Sequence, residues 1–297
     1  MKKRYSGAAN MALHTVCILL SLMCILPLVL VVSVSLTSET GILNHGYTLF
    51  PSEFSLDAYK YIWNVKDTIL RAYGVTIFNT AAGSVISVLV IALYAYALSR
   101  PNLLGKTFFT FYIFFTMLFS GGLVAWYMVC TQVLHIQNTI WAQILPYSMN
   151  AWNVIIMRTF YTSTVPESML ESARIDGSGE LRIFFELVLP IAVPGIATIA
   201  MFQVLTYWND WWLGINLITD PKLYNLQILL QNMLSNIEQL KNSAETVDAS
   251  AAAAVANLPA EGTRMALCMV ALGPILAVYP FFQKYFIQGL TVGAVKG

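Results

Sequence analysis

Apolar residues run through this chain in long stretches, broken by short polar segments. No Lys, Arg, Asp or Glu occurs between Arg4 and Glu39, between Arg71 and Arg100, from Thr107 through Met157, from Leu187 through Asn209, or from Met265 through Gln283. A bilayer core takes about 20 predominantly apolar helical residues, so each stretch has the length of a membrane span. The 51 residues from Thr107 to Met157 would make about 76 Å of helix at about 1.5 Å per residue. That is too long for one crossing, and the polar patch Thr131, Gln132, His135, Gln137 and Asn138 supplies a turn within it. The pattern predicts an all-α polytopic membrane protein with six transmembrane helices. They lie at about 11–36, 73–99, 107–130, 139–159, 187–213 and 265–285. All of 1–297 reads as a single transmembrane domain, and the first span reads as uncleaved because its apolar run outlasts a signal-peptide core.

Composition sharpens this. The chain is 58% hydrophobic and 10% charged, too few charges to cover a water-facing surface, which excludes a soluble enzyme. A net charge of +1 gives no basic surface for nucleic acid. With the N-terminus in the cytoplasm, ten Lys and Arg fall inside and six outside, while five acids fall inside and ten outside. The positive-inside rule therefore puts both termini in the cytoplasm. Cys17, Cys24, Cys130 and Cys268 lack CxxC spacing and read as packing residues. His14, His45 and His135 are isolated, so no metal site is expected.

Three hydrophilic segments remain: 37–72 and 216–264 outside, the latter with the Ala-rich run 249–256, and 160–186 in the cytoplasm. In the third, Thr164 followed by Glu167 predicts a capping box, with Pro166 near the first turn and Gly177 as the C-terminal stop. Met169, Leu170 and Ala173 share one side of the predicted helix, and Glu167, Glu171 and Arg174 another. A second helical stretch, Glu180 to Leu189, leads into the fifth span.

Glu171-Ser172-Ala173, Asp176-Gly177 and Leu187-x-Leu189-Pro190 resemble the EAA signature of ABC-importer permeases. Ser172 replaces the usual first Ala, and Leu187 the usual Ile. Tyr207-Trp208-Asn209, Asn79-Thr80 and the ending Gly293-Ala294-Val295-Lys296-Gly297 are similar to the carbohydrate-uptake, maltose-type subgroup, in particular its oligosaccharide permeases. The resemblance implies a type I ABC-importer permease fold with a cytoplasmic coupling helix, in a bacterial plasma (inner) membrane. It implies a heterodimer with a second, similar permease, two ATPase subunits carrying ATP and Mg, and an extracytoplasmic solute-binding protein that delivers a sugar. It also implies that this subunit is not an enzyme and binds no cofactor itself. Under it, Glu171 is the main polar contact to an ATPase, Ala173 lies at the packing face, and Gly177 permits the turn. The sequence agrees on one point, since Gly105-Lys106-Thr107 has Arg100 where a phosphate-binding loop needs its first Gly.

Polar residues within spans face a bundle interior or a pathway. Asn79, Asn153, Gln203, Tyr207, Trp208 and Asn209 are the candidate substrate path, with Asn150 and Asp210 nearby. The aromatic cluster Tyr207 to Trp212 fits either an interfacial belt contacting membrane lipid or a sugar-stacking wall. Gly83 and Ser87 have the spacing of a close helix contact. Pro190, Pro194, Pro274 and Pro280 are positioned to bend spans. An ion-coupled carrier would need ionisable groups within the spans, and five charge-free stretches argue against it. A non-transport scaffold is the other alternative. No basic residue within the span interiors marks a path for acidic sugars.

Overall fold

The computed structural model describes residues 7–244 and 260–276. They are helical, apart from turns, short 3₁₀ segments and an isolated bridge between Thr37 and Phe54. The chain divides into two compact units, one of 1–67 with 232–274 and the other of 68–231 with 275–297.

In the first unit, α1 (Gly7–Ser35) is apolar on every side and exposed from Met11 to Val29. Such a helix is soluble only in lipid or against another protein. Its C-terminal end is buried at Val34 and Ser35, and Ser35 Oγ meets the Tyr59 hydroxyl at 3.0 Å. The segment 37–65, expected as a loop, contains α2 (Glu39–His45) and α3 (Asp57–Asn64). Ser38 caps α2 by accepting from the Gly41 amide. Glu39 accepts from the Glu261 and Gly262 amides at the start of the helix 260–276. A carboxylate there satisfies free amides and complements the helix dipole.

The second unit is built on α4 (Lys66–Ser99), which starts two turns before the predicted second span. Ile91, Ala92, Ala95, Tyr96 and Leu98 of α4 enter a core with Ile113 of α5 (Lys106–Leu118). Val154, Met157 and Tyr161 of α7 (Ala151–Thr164) complete that part of the core.

Three predicted spans are not continuous helices. The third breaks between α5 and α6 (Gly122–Val133), whose axes differ by 120°. Phe119 is extended and Gly122 has φ +78°, a conformation open chiefly to glycine. The fourth begins as 3₁₀ turns at Ile140–Gln143 and Leu145–Tyr147, the latter holding Pro146. Its helix starts only after Asn150, which accepts from the Asn153 amide, so Asn150 is a cap rather than an interior polar residue. The fifth splits at Ala192 into α9 (Glu180–Ile191) and α10 (Val193–Trp208), bent by 85°. A π turn at Phe184–Val188, Pro190 and Pro194 give the cause, since each proline removes an amide donor and its ring crowds the preceding turn. Among the described residues two helices are long and apolar enough to cross a membrane, or up to four if each bent pair is one span. That is fewer than the six predicted crossings, the sixth of which runs past the described residues. α11 (Trp212–Leu217) straddles the predicted end of the fifth span, and α12 (Leu226–Ala244) lies in the predicted outer loop. The Ala-rich run, Pro280, the end of the sixth span and the terminal Gly293–Gly297 motif lie outside the described residues.

Candidate functional site

The loop after α7 holds the signature residues. Thr164 is the last residue of α7, because Val165, preceding Pro166, is extended. Consequently the predicted capping box does not form: Pro166 takes the cap position of α8 (Glu167–Ile175), and no side chain caps that helix. Its C-terminus matches expectation in detail. Gly177 has φ +83°, its amide donates to Arg174 O at 3.0 Å, and the Ser178 amide donates to Ala173 O at 3.0 Å. These paired bonds are a Schellman stop, closing the orphan carbonyls of the helix. Asp176 is the C-cap residue.

On α8, Leu170 and Ala173 are buried and Met169 is half-buried against the same core. Glu171 and Ser172 are exposed, and Ser172 Oγ donates back to Ser168 O. Leu187 and Leu189 pack partly on the core, and Pro190 is exposed. Ile175 and Leu181 are 86% and 69% exposed. Two large aliphatic side chains therefore flank the turn, Ile175 lying one helical turn beyond Glu171.

Glu167 and Arg174 do not join Glu171 facing outward, as the helical pattern predicts. They enter an ion network that sequence reasoning missed. Arg100, just past α4 and only 9% exposed at its side chain, pairs with Glu167 at 3.3 Å. Arg174 bridges Glu167 at 3.4 Å and Glu180 at 2.8 Å. The Tyr96 hydroxyl donates to Glu180 at 2.7 Å, and the Arg100 guanidinium lies 4.8 Å from the Tyr96 ring centre. Burial pushes the Glu180 carboxyl up, but Tyr96, Arg174 and Arg100 together outweigh it and hold the pKa below the usual range. The Glu180 hydrogen bond in turn raises Arg174. The network fastens both helices of the loop to the end of α4. The sequence signal was the set of charges between 167 and 180, which no spacing rule tied to Tyr96 or Arg100.

The candidate path residues occupy different settings. Asn79 is buried with both amide atoms unpartnered among the described residues, as is Gln203 Oε1. Tyr207 is buried and its ring fills the place beside Gly83: a Cβ there would stand 2.6 Å from ring carbon Cζ. Its hydroxyl donates to Ile144 O at 2.8 Å and meets Ser87 Oγ at 2.8 Å. Asn79 and Gln203 each lie one turn from this contact, on α4 and α10. Asn153 and Trp208 are buried, whereas Asn209 is exposed and donates back to Leu205 O. Asp210 is buried and caps α11 through the Leu213 amide at 3.1 Å. Trp212 packs on Trp126, ring centres 4.5 Å apart, and Trp211 is half exposed.

Residues 88–292 match the family described as binding-protein-dependent transport system inner membrane component. The chain belongs to this family. The permease is 37% identical to the polygalacturonan/rhamnogalacturonan transport system permease protein YtcP of Bacillus subtilis (strain 168), over 97% of this chain and 98% of that protein. It is 34% identical to Protein LplC of the same organism, over 92% and 90%. A solved chain from a bacterial ABC transporter involved in import of the acidic polysaccharide alginate superposes with a TM-score of 0.78 at 27% identity, covering 95% of the permease and 99% of that chain. The permease is thus a sugar ABC-importer subunit with membrane helices, and its EAA motif and loop helix are typical of the family.

Proposed function

We propose that the permease crosses the membrane six times with both termini cytoplasmic, pairs with a second permease, and is driven by two ATPase subunits that bind ATP and Mg. The observation that carries this is the two-sided loop. One side of α8 is buried and ion-paired to the end of α4, while Glu171, Ile175 and Leu181 stand free around the turn. A lever needs such a form: a docking surface on a rigid piece joined directly to the helices it moves. Glu171 is the polar contact for an ATPase cation, Ile175 and Leu181 fill its groove, and the Schellman turn at Gly177 fixes the angle between α8 and α9. Ser172, Ala173, Asp176, Leu187, Leu189 and Pro190 shape this unit. Hydrolysis belongs to the ATPases; the permease supplies the path.

The cargo is a carbohydrate oligomer delivered by an extracytoplasmic binding protein. Asn79 and Gln203, orphaned within helices, suit sugar hydroxyls, since a buried amide without a partner is costly unless a ligand satisfies it. Tyr207 is committed to a helix clasp, so it positions the wall rather than stacking on the sugar. The relatives named for polygalacturonan and alginate favour an oligomer with uronic-acid units. Span interiors free of basic residues leave the partner permease to supply any cation for that substrate. The test is a Glu171→Cys variant of the assembled transporter. Crosslinking of Glu171→Cys to the ATPase subunit is expected, and Glu171→Lys should lose attachment of that subunit together with ATPase stimulation by sugar-loaded binding protein. Glu171→Lys with full attachment and stimulation overturns the docking assignment.

A further inference from the structure

An open groove of about 870 Å³ runs along α5, walled by Phe111, Phe114, Phe115, Leu118 and Phe119, with Lys106 and Arg158 among its lining residues. Phe111 and Leu118 are 64% and 77% exposed, and Phe115 stacks on Phe119 with ring centres 4.5 Å apart. Arg158 sits on α7 among Val154, Met157 and Tyr161 of the core and forms no ion pair among the described residues. By contrast, Arg100, Arg174 and Arg182 in the same unit all pair with carboxylates. Lys106 gives one hydrogen bond, to Arg100 O at 2.9 Å, and an ammonium has three donors. Thr110, also lining the groove, has a buried hydroxyl with no partner.

We infer that this groove is a binding site for one anionic phospholipid, with its phosphate between Lys106 and Arg158 and an acyl chain along the phenylalanine wall. Two cations without a carboxylate in the groove call for an anion, and the exposed aromatic wall calls for hydrocarbon. A phospholipid with net negative charge supplies both, and basic pockets between membrane helices are built for such headgroups. A free phosphate satisfies only the cations, and a zwitterionic lipid brings its own ammonium to them. In the proposed orientation the headgroup lies in the inner leaflet, next to the Arg100 network.

The test uses the transporter assembled with its partner permease and ATPases, in nanodiscs of equal phosphatidylglycerol and phosphatidylcholine, with co-purifying lipid counted by native mass spectrometry. Wild type should retain phosphatidylglycerol selectively. Lys106→Gln and Arg158→Gln should each lower retention about fivefold, and Lys222→Gln, outside the groove, should not. Phe115→Trp should be quenched by brominated phosphatidylglycerol, and this quenching should vanish with both cations removed. If Lys106→Gln fails to assemble, Arg158→Gln alone gives the reading. Equal retention of phosphatidylcholine, undiminished phosphatidylglycerol in the double variant, or displacement by glycerol 3-phosphate overturns the proposal. So does a photocrosslinker at Phe115 that captures the partner permease instead of lipid.

Discussion

Replacing Arg100 with Gln should release the coupling loop from α4. At 3.3 Å from Glu167, an effective dielectric of about 20 gives roughly 5 kcal/mol of gross attraction. Glu167 is 39% exposed at its side chain and retains much of its hydration, which brings the net value towards the roughly 1 kcal/mol of accessible pairs. The cation above the Tyr96 ring at 4.8 Å adds about 1 kcal/mol. The sum, about 2 kcal/mol, is about a 30-fold shift in the opening of 166–180. Hydrogen exchange of that segment in the assembled transporter reads it directly. Glu167→Gln should give a smaller rise, and adding Arg100→Gln should then cost less than it does alone, because the pair is already broken. If Arg100→Gln leaves exchange within about twofold of wild type, the fastening by Arg100 is refuted.

Other outcomes follow from single positions. Gly177→Ala forces φ +83° on a residue with a Cβ, costing about 1 kcal/mol or more, and should lower coupled transport more than Gly177→Asn does. Gly83→Ala places a methyl 2.6 Å from a Tyr207 ring held by Ser87 and Ile144; a loss of about 1–3 kcal/mol in thermal unfolding is expected, partly relieved by Tyr207→Leu. The Glu180 carboxyl is depressed in the folded state, so its contribution is present above the ordinary glutamate range and lost as pH falls through the folded value. Exchange protection of 174–180 should therefore weaken on acidification, and Glu180→Gln should flatten that dependence.

The chain's apolar stretches made its membrane helices legible, and α1 follows its predicted span closely. Continuity was not legible, because a count of apolar residues is blind to backbone dihedrals. Gly121-Gly122 and Pro146 were visible breakers, yet hydrophobicity passes straight through them, whereas the fifth span bends at Pro190 and Pro194 as their positions predict. At the loop, the stop at Gly177 could be read because a left-handed stop is local and favours one residue type. The start was misread because Pro166 holds Val165 extended and leaves Thr164 in the preceding helix. Glu167 then finds Arg100, 67 residues away, and no local rule reaches so far. For the same reason the sequence groups Tyr207 with its aromatic neighbours, whereas its ring packs beside Gly83, more than a hundred positions earlier.

Sugar uptake into proteoliposomes holding the permease, its partner permease and ATPases, with loaded binding protein outside, tests the central claim most directly. Uptake that requires ATP inside, and collapses with Glu171→Lys, is the expected result. Uptake driven by an ion gradient without ATP would contradict the account.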